Sequence, residues 1–510
     1  MTGNTVAIIF AFICYLAMMI GIGIHAMRQT ATTEDYFLGG RGLSGWVAAL
    51  SAQASDMSGW LLMGLPGSIY LGGTGKMWIA IGLFVGTVLN WVLISKRLRS
   101  YTIVSGNSLT LPEFFENRFR DKKKIILTIS SVVITVFFLV YTASALASGG
   151  KLFHTVFGLD YHVAMLIGAV VILAYTFMGG FLAVSKTDFV QGTLMFIGLL
   201  TVPILAYAAL DGGLWNSLKG SGVTDPDYLN LFYVNGERYS LVSILSDLAW
   251  GLGYFGMPHI LVRFMAVKSE KEIKKSTIIA TIWVGISLLS SCFIGLIGRA
   301  YIPEIKDSEN VFIQMIQRVF DGNIIYVFIG GIFLCGILAA IMSTADSQLL
   351  VCASSASKDI YKNLFHPEAE DKKVLRISRV TVFAVAVIAI VIAWNPESSI
   401  MNLVSDAWAG LGSAFGPLVV CSLFWKRTNL PGAVSGILSG GLFVIVWDYL
   451  PIVGGQTPYA ATGIYSLLPG FFISLLCIVI VSLLTRKPSQ EILDEFDQVS
   501  EYREDSAIQI

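Results

Sequence analysis

Apolar runs long enough to cross a lipid bilayer recur along most of the chain, and short polar segments separate them. A transmembrane helix needs about 20 mostly apolar residues, and about 13 runs of this kind are present. They lie near residues 5–27, 44–72, 77–95, 125–149, 161–185, 187–210, 240–262, 276–300, 323–356, 377–394, 399–423, 429–449 and 464–485. The pattern predicts an all-α polytopic membrane protein with about 13 transmembrane helices.

The composition indicates the same class. Of the 510 residues, 55% are hydrophobic and only 13% are charged, whereas about 25% charged residues is usual in soluble domains. The six cysteines are dispersed, without the spacing of a zinc site or a disulfide framework, and we interpret them as packing residues. We expect a transmembrane domain over residues 1–487. The polar, mildly acidic stretch 488–510 should be a cytoplasmic tail that is disordered or loosely helical.

The basic residues are distributed unevenly between alternate loops, which predicts the orientation in the membrane. With the N-terminus outside, the outer loops hold only Lys76, Lys151, Lys219, Arg238, Arg299, Lys306 and Arg318. The remaining lysines and arginines form dense clusters on the opposite face, for example within 96–99, 118–124 and 268–275. We therefore expect a multi-pass protein of the cell membrane with an uncleaved first helix, an outer N-terminus and a cytoplasmic C-terminus.

A polar run interrupts the second predicted helix. Gln53, Ser55, Asp56 and Ser58 lie in the middle of a stretch otherwise apolar enough to span the bilayer. An ionisable group at that depth is costly and usually functional. Small residues and hydroxyls favour a local break at 54–59, and carbonyls freed at bilayer depth are tolerated only beside a cavity or a ligand. The alternative is a straight helix whose Asp56 pairs with a neighbouring polar group.

A second interruption occurs five helices later. Residues 250–258 contain three glycines and a proline inside an apolar span, and both residue types weaken a helix. Because an odd number of helices separates the two interruptions, the second interrupted helix would enter the membrane from the side opposite to the first. This is the pattern of inverted five-helix repeats whose broken first helices frame a site at the midplane. The alternative is a kinked helix that packs through small residues.

The ninth predicted helix carries adjacent hydroxyls at Ser343 and Thr344. The carbonyl of Ala340 lies on nearly the same helix face as Ser343. Together with carbonyls of Ala54 and Met57 from the first break, five neutral oxygens could replace the water around Na⁺. Hydroxyls in membrane helices commonly bond back to their own turn, which is the alternative here.

Other kinds of chemistry have little support. The five histidines are scattered, no pair has metal-ligand spacing, and no phosphate-binding loop or nucleophile elbow is present. We therefore expect no enzyme. A channel would also use polar breaks, and saturable uptake coupled to Na⁺ would distinguish a carrier from a pore. A receptor is disfavoured because no signalling domain is visible.

Five stretches carry long motifs: LGGRGLSGWVAALSAQASDMSGWLLMGLPGSIY, GGFLAVSKTDFVQG, AWGLGYFGMPHILVRFMA, ILAAIMSTADSQLLVCASS and VSDAWAGLGSAFGPLV. Together they resemble the sodium:solute symporter family, most closely its proline-carrying branch. The resemblance implies a leucine-transporter-like fold of two inverted repeats, helices 2–6 (about residues 44–210) and 7–11 (about residues 240–423). It also implies alternating access driven by Na⁺, import of L-proline, and no cofactor other than the coupling ion. Nucleic acid and an obligate protein partner are not expected.

The resemblance also implies roles for individual residues. The Na⁺ ligands would be the carbonyls of Ala54, Met57 and Ala340 and the hydroxyls of Ser343 and Thr344, with Asp56 as an essential nearby carboxylate. The substrate-binding residues would be Ser58, Tyr141, Trp250, Tyr254 and Pro258. Asp188 matches a family motif and is expected on the inward exit path of Na⁺, with a structural pairing to Lys186 as the alternative.

Proline is a small zwitterion with an apolar ring, so it needs a compact pocket with an aromatic wall. Trp250 and Tyr254 are one helical turn apart and could supply that wall, including a cation–π surface for the ammonium group. Gln53 and Met257 depart from the pattern of the branch, where glycine and glutamine are expected. A different small solute, such as betaine or another amino acid, and proton coupling through Asp56 therefore remain alternatives.

Overall fold

The computed structural model describes residues 3–27, 33–176 and 180–501. Within these ranges the protein is mostly α-helical, and ten helices are long and apolar enough to cross a membrane. They are Gly3–Ala26, Trp60–Val104, Ile125–Phe157, Phe181–Ala208, Glu270–Tyr301, Ile324–Phe365, Asp371–Ile392, Ile400–Phe424, Leu430–Tyr449 and Leu467–Leu484. Two shorter apolar helices are Tyr161–Ala174 and Leu241–Gly256. The predicted class is confirmed as far as a mostly helical protein with many membrane spans.

Short elements connect these spans. The connecting helices are Thr33–Leu38, Leu111–Phe119, Leu214–Gly220, Val311–Val319 and Pro458–Thr462. A two-stranded antiparallel hairpin, Tyr233–Val234 with Glu237–Arg238, pairs Tyr233 with Arg238. Many apolar side chains of the long helices are exposed, as expected for a surface that faces lipid. Ile400–Phe424 is the most enclosed span, and it lies at the centre of the helix bundle.

One predicted helix boundary is wrong. The helix Phe181–Ala208 runs without interruption through residues 185–187, where two helices were expected to meet. Its first residue instead follows Gly180, whose backbone is extended (φ −90°, ψ −166°). Ser185 and Thr187 do not end the helix: both are buried, and the Thr187 hydroxyl donates to the Ala183 and Val184 carbonyls of the same helix. Residues 177–179, within the predicted run 161–185, lie outside the described residues.

Several helices also extend beyond their predicted ends. The runs predicted to stop at residues 95, 149 and 356 continue as helix to Val104, Phe157 and Phe365. Hydropathy indicates where a helix leaves the hydrocarbon layer, whereas the helix itself continues until a capping or turn residue stops it. At Phe157 that residue is Gly158, in the left-handed conformation (φ 66°).

The C-terminal tail differs from the disordered or loosely helical segment that was predicted. Residues Gln490–Glu501 form a helix that lies against Ser95–Val104, and residues 502–510 lie outside the described part. Ile492, Phe496 and Val499 are buried. Their spacing of four and three residues places them on one helix face, so the tail has an apolar stripe although it has no apolar run.

Charged residues hold this tail helix in place. The guanidinium groups of Arg97 and Arg118 lie 4.9 Å and 5.4 Å from the centroid of the Phe496 ring. Arg120 forms salt bridges with Glu491, at 3.2 Å, and with Glu495. The basic cluster that predicted an inner membrane face therefore also binds the acidic tail.

Two elements near the centre of the bundle approach each other through glycine. A Cβ atom at Gly86, in the helix Met77–Leu89, would lie 2.2 Å from the carbonyl oxygen of Gly251. A Cβ atom at Gly251 would in turn lie 2.2 Å from the carbonyl oxygen of Gly82. Small residues allow membrane helices to pack backbone against backbone. This contact sets the position of the segment 249–256, which contributes to the site described below.

We predict that Gly86→Val destabilises the protein, because the side chain would meet backbone atoms that cannot move aside. Overpacking of this kind costs about 1–3 kcal/mol. The thermal unfolding midpoint of the detergent-solubilised protein should fall. Gly21→Val is the matched control, since a Cβ at helical Gly21 meets no atom within 4 Å. Equal midpoints for both variants would contradict the backbone contact.

Candidate functional site

The first predicted break is present. The helix Gly45–Asp56 ends at Asp56, and Met57 leaves the helical region (φ −80°, ψ 73°). After Ser58 and Gly59, a single π-helical turn, Trp60–Gly64, leads into the helix Leu65–Gly72. The Asp56 carbonyl accepts hydrogen bonds from Ser58 N and Trp60 Nε1, both at 2.9 Å. The tryptophan thus satisfies a carbonyl that the break leaves without its helical partner. We call residues 45–72 the first broken segment.

The second predicted break is present as well. The helix Leu241–Leu248 continues as a 3-10 helix, Ala249–Gly256, followed by extended Met257 (φ −84°, ψ 104°). Pro258 then begins the helix Pro258–Ala266, a position where its missing N–H costs nothing. Trp408 Nε1 donates a 2.8 Å hydrogen bond to the Trp250 carbonyl. We call residues 241–266 the second broken segment.

The two breaks meet at one hydrogen bond. The Tyr254 hydroxyl donates to Asp56 Oδ2 at 2.6 Å, and both side chains are buried. Within the described part of the chain, Asp56 Oδ1 has no hydrogen-bond partner. The carboxylate therefore joins the two broken segments through one oxygen and retains capacity to interact with a further ligand through the other.

Four of the five oxygens predicted to hold a cation lie together beside the first break. Ser343 Oγ donates to the carbonyl oxygens of Ala54, at 2.7 Å, and Ala340, at 3.2 Å. Thr344 Oγ1 lies 3.4 Å from the same Ala54 oxygen. Met57, the source of the fifth oxygen, lies in the turn after Asp56. The helix Ile324–Ser354 thus faces the first broken segment with its hydroxyls, rather than using them only for bonds within its own turns.

A second polar cluster lies next to these oxygens, and sequence reasoning identified only one of its two charged members, Asp188. Asp188 Oδ2 accepts hydrogen bonds from Ser51 Oγ, at 2.7 Å, and from Ser55 Oγ, at 3.2 Å. Asp188 forms a salt bridge with Arg263, at 3.2 Å. The alternative given above, a pairing of Asp188 with Lys186, is therefore wrong. Arg263 also donates to Ser347 Oγ at 2.6 Å. An arginine within the apolar stretch PHILVRFMA was the signal that could have revealed this cluster.

The predicted aromatic wall is divided between two environments. The Trp250 ring stacks on Tyr465, with centroids 4.9 Å apart and an angle of 21°. The Tyr254 ring meets Trp408 edge-on at 5.1 Å. Tyr465 and Trp408 were not predicted, because they come from segments distant in sequence.

Tyr141, fully buried, faces Ser58 and Trp60. Its hydroxyl makes no hydrogen bond of normal geometry within the described residues. The His259 ring lies edge-on to it, with centroids 6.1 Å apart. Ser58, Tyr141 and Tyr254 therefore lie around Asp56.

Two cavities lie on either side of this centre. Trp250 and Tyr465 line a cavity of about 490 Å³ on the face that also carries Lys76 and Tyr459. Pro258 instead borders a small cavity of about 30 Å³ beside Arg263. The five predicted substrate residues thus do not enclose one common cavity. Trp250 lines the larger cavity and Pro258 the smaller one, and Ser58, Tyr141 and Tyr254 line neither.

Two broken helices, polar groups buried at their junction and cavities on either side define a membrane transporter rather than an enzyme or a soluble binding protein. The family model of the sodium:solute symporter family matches residues 36–440. Sodium/proline symporters of Staphylococcus aureus strains JH9 and Mu3 are 44% identical over 497 residues, covering 95% of this chain and 94% of theirs. The protein belongs to the sodium:solute symporter family.

Solved structures support the fold. A Na⁺-coupled sialic acid symporter in a substrate-bound outward-open state superposes with a TM-score of 0.77 at 20% identity, covering 96% of this chain and 99% of that one. A transporter of the nucleobase-cation-symport-1 family, in a closed conformation with bromovinylhydantoin bound, superposes with a TM-score of 0.53 at 11% identity, covering 92% and 99%. The protein is a sodium-coupled solute symporter of the membrane, with Na⁺ as its coupling ion.

Proposed function

We propose that this symporter imports L-proline together with Na⁺ by alternating access. The observation that carries the proposal is the buried junction of Asp56 and Tyr254 between the two broken segments, with the Ala54 carbonyl and the Ser343 hydroxyl beside it. Identity of 44% to sodium/proline symporters over nearly the whole chain supports proline as the solute.

In this proposal the chain crosses the membrane thirteen times. The span Trp60–Val104 contains the end of the first broken segment and a separate helix that begins at Met77, and the two shorter apolar helices add two further crossings. Helices 2–6 and 7–11 form inverted five-helix repeats, whose first helices are the two broken segments. The N-terminus is outside and the C-terminus cytoplasmic, so the cavity beside Trp250 opens outward.

The cation site comprises the carbonyls of Ala54, Met57 and Ala340 with the hydroxyls of Ser343 and Thr344. Neutral oxygens suit a hard monovalent cation, and the nearby Asp56 carboxylate supplies negative charge. Because Ala54 and Met57 belong to one repeat and the other three residues to the second, a bound Na⁺ favours the arrangement in which the repeats meet. Asp188 lies on the inward exit path of the ion.

Substrate binds where the two breaks face each other. Ser58, Tyr141 and Tyr254 lie around Asp56, Trp250 closes the outward side, and Pro258 lies toward the opposite side. These closely packed residues favour a solute as small and compact as proline, and the aromatic side chains provide apolar contact for its ring. Gln53 is buried beside this region and Met257 forms the turn of the second break. Because these two residues depart from those expected in the proline-carrying branch, betaine or another amino acid is the alternative solute.

Radiolabelled uptake into proteoliposomes tests the proposed function. An inward Na⁺ gradient should drive proline accumulation, whereas an inward proton gradient without Na⁺ should not. Unlabelled betaine and other amino acids should compete less effectively than unlabelled proline. Na⁺-driven uptake of another solute without proline uptake would overturn the substrate assignment while leaving the symporter class intact.

Asp56→Asn should raise the Na⁺ concentration for half-maximal uptake. Loss of an interaction with a charged group costs about 1.5–3 kcal/mol, which corresponds to roughly tenfold or more. Asp121→Asn is the matched control, because Asp121 is also a buried carboxylate and lies outside both breaks, where it accepts hydrogen bonds from Lys123 N at 3.1 Å and Ile126 N at 2.7 Å. If Asp56→Asn and the wild type have the same half-maximal Na⁺ concentration, Asp56 does not contribute to the cation site.

Na⁺ and proline should raise each other's affinity, since one break serves both ligands. Such coupling is typically about 5–150-fold, and linkage makes it reciprocal. The double variant Ser343→Ala with Thr344→Ala should lose this mutual effect and keep weak Na⁺-independent proline binding, measured at equilibrium at several fixed Na⁺ concentrations.

The control for that double variant is Ser130→Ala with Ser131→Ala, another adjacent pair of buried hydroxyls in a spanning helix. It should retain the wild-type dependence of proline affinity on Na⁺. If the Ser343/Thr344 variant retains that dependence too, the cation binds elsewhere.

A further inference from the structure

A fully buried ion pair connects the two halves of the protein beside the cation oxygens. Asp188 lies in the helix Phe181–Ala208 and Arg263 in the second broken segment. Arg263 Nη2 is 3.2 Å from Asp188 Oδ2, and both side chains have 0% relative exposure. Burying such a pair costs free energy, and removing one partner alone strongly destabilises a protein because the other charge is left unpaired. Its retention inside a transporter therefore calls for a function.

The guanidinium group of Arg263 is held by several elements at once. Nε donates to Ser51 Oγ at 3.1 Å, Nη1 to the His259 carbonyl at 2.6 Å, and Nη2 to Ser347 Oγ at 2.6 Å as well as to Asp188. Its carbon lies 5.1 Å from the centroid of the Phe181 ring. The positive charge thus occupies the middle of a ring of oxygens drawn from four segments of the chain, as a bound cation would.

This ring is directly continuous with the cation oxygens. Ser347 lies one helical turn beyond Ser343 and donates to the Ser343 carbonyl at 2.8 Å. Ser55 follows Ala54, and its hydroxyl lies 3.0 Å from that of Ser347. An ion that leaves the Ala54 and Ser343 oxygens toward Asp188 would meet the position that Arg263 occupies.

We propose that Arg263 is the tethered counter-cation of Asp188: Na⁺ displaces it on the way out, and Arg263 neutralises Asp188 while the empty carrier returns. The inference rests on the proposed cation path. A symporter that has released its ligands must reorient without Na⁺, and an unpaired carboxylate buried at this depth would oppose that step. Arg263 is a positioning residue in this scheme, because it acts on the Asp188 charge and not on the solute.

The proposal separates two modes of transport. Net uptake requires the empty carrier to return in every cycle, whereas exchange of internal for external solute, with Na⁺ on both sides, uses only loaded carriers. Removing the charge of Arg263 should therefore slow net uptake far more than exchange. A purely structural ion pair would affect both modes in parallel.

The test compares the two modes in the same proteoliposomes, normalised to the amount of protein. For Arg263→Gln, net Na⁺-driven proline uptake should fall by roughly tenfold or more, as the cost of an unpaired buried charge implies, while proline exchange stays within about threefold of the wild type. Arg263→Lys retains the charge and should lose less net uptake. The double variant Arg263→Gln with Asp188→Asn contains no unpaired charge, so its ratio of net uptake to exchange should return toward the wild-type ratio.

Arg118→Gln is the matched control, since Arg118 is also fully buried and lies outside the ring. Both modes should change in parallel in this variant. If Arg263→Gln also lowers both modes in parallel, or if the double variant fails to restore the ratio, the pair is structural and the proposal is wrong.

A second measurement does not depend on the solute. Equilibrium binding of radioactive Na⁺ to the purified protein should become tighter in Arg263→Gln, by roughly tenfold, because the ion no longer competes with a tethered cation for Asp188. The double variant should not show this gain. Unchanged or weaker Na⁺ binding in Arg263→Gln would overturn the inference, whereas failure of wild-type proline uptake alone would count only against the proposed substrate.

Discussion

The hydrogen bond between Tyr254 and Asp56 is the contact on which the centre of the structure depends. A helix broken inside a bilayer frees backbone groups and buries polar side chains where no water satisfies them. Here the second break supplies a hydrogen-bond donor and the first an acceptor, because the Tyr254 hydroxyl donates to the Asp56 carboxylate at 2.6 Å. The Trp60 and Trp408 indoles then bind carbonyls next to the two interruptions.

Close packing makes that contact possible. Gly86 and Gly251 allow the helix Met77–Leu89 to touch the backbone of the second broken segment, and Gly253 lies against the indole of Trp408. A methyl group at any of these positions would overlap its neighbour, so the position of Tyr254 is determined by glycines that carry no chemistry. This explains why a site with few polar groups occupies such a glycine-rich part of the chain.

The polar groups form two layers rather than one. The first contains Asp56 and the Ala54, Ala340, Ser343 and Thr344 oxygens, and the second contains Asp188, Arg263 and their serines. Ser55 and Ser347 connect the layers through their hydroxyls. In the proposed mechanism the first layer binds the ion and the second balances charge on its exit path. Toward the predicted inner face, the tail helix packs against Arg97, Arg118 and Arg120, linking the end of the chain to the transport domain.

The sequence alone determined the membrane class, most of the spans and both breaks. These are properties of a single segment, since hydropathy sets where a helix is buried in lipid, and Gly, Pro or a central carboxylate sets where it is interrupted. The hydroxyls of Ser343 and Thr344 were likewise expected beside the first break, and they lie next to the Ala54 carbonyl.

Only the tertiary structure decided which residues meet across the bundle. Arg263 rather than Lys186 pairs with Asp188, Trp408 and Tyr465 complete the aromatic wall, and the tail docks through Phe496. The helix Phe181–Ala208 continues through residues whose polarity had suggested a boundary, because they are buried in the bundle and the Thr187 hydroxyl donates to carbonyls of its own helix. A local pattern reports how one segment partitions between water and lipid. The partner of a buried charge comes from a segment distant in sequence, 75 residues away for Asp188 and Arg263, and no local pattern contains that information.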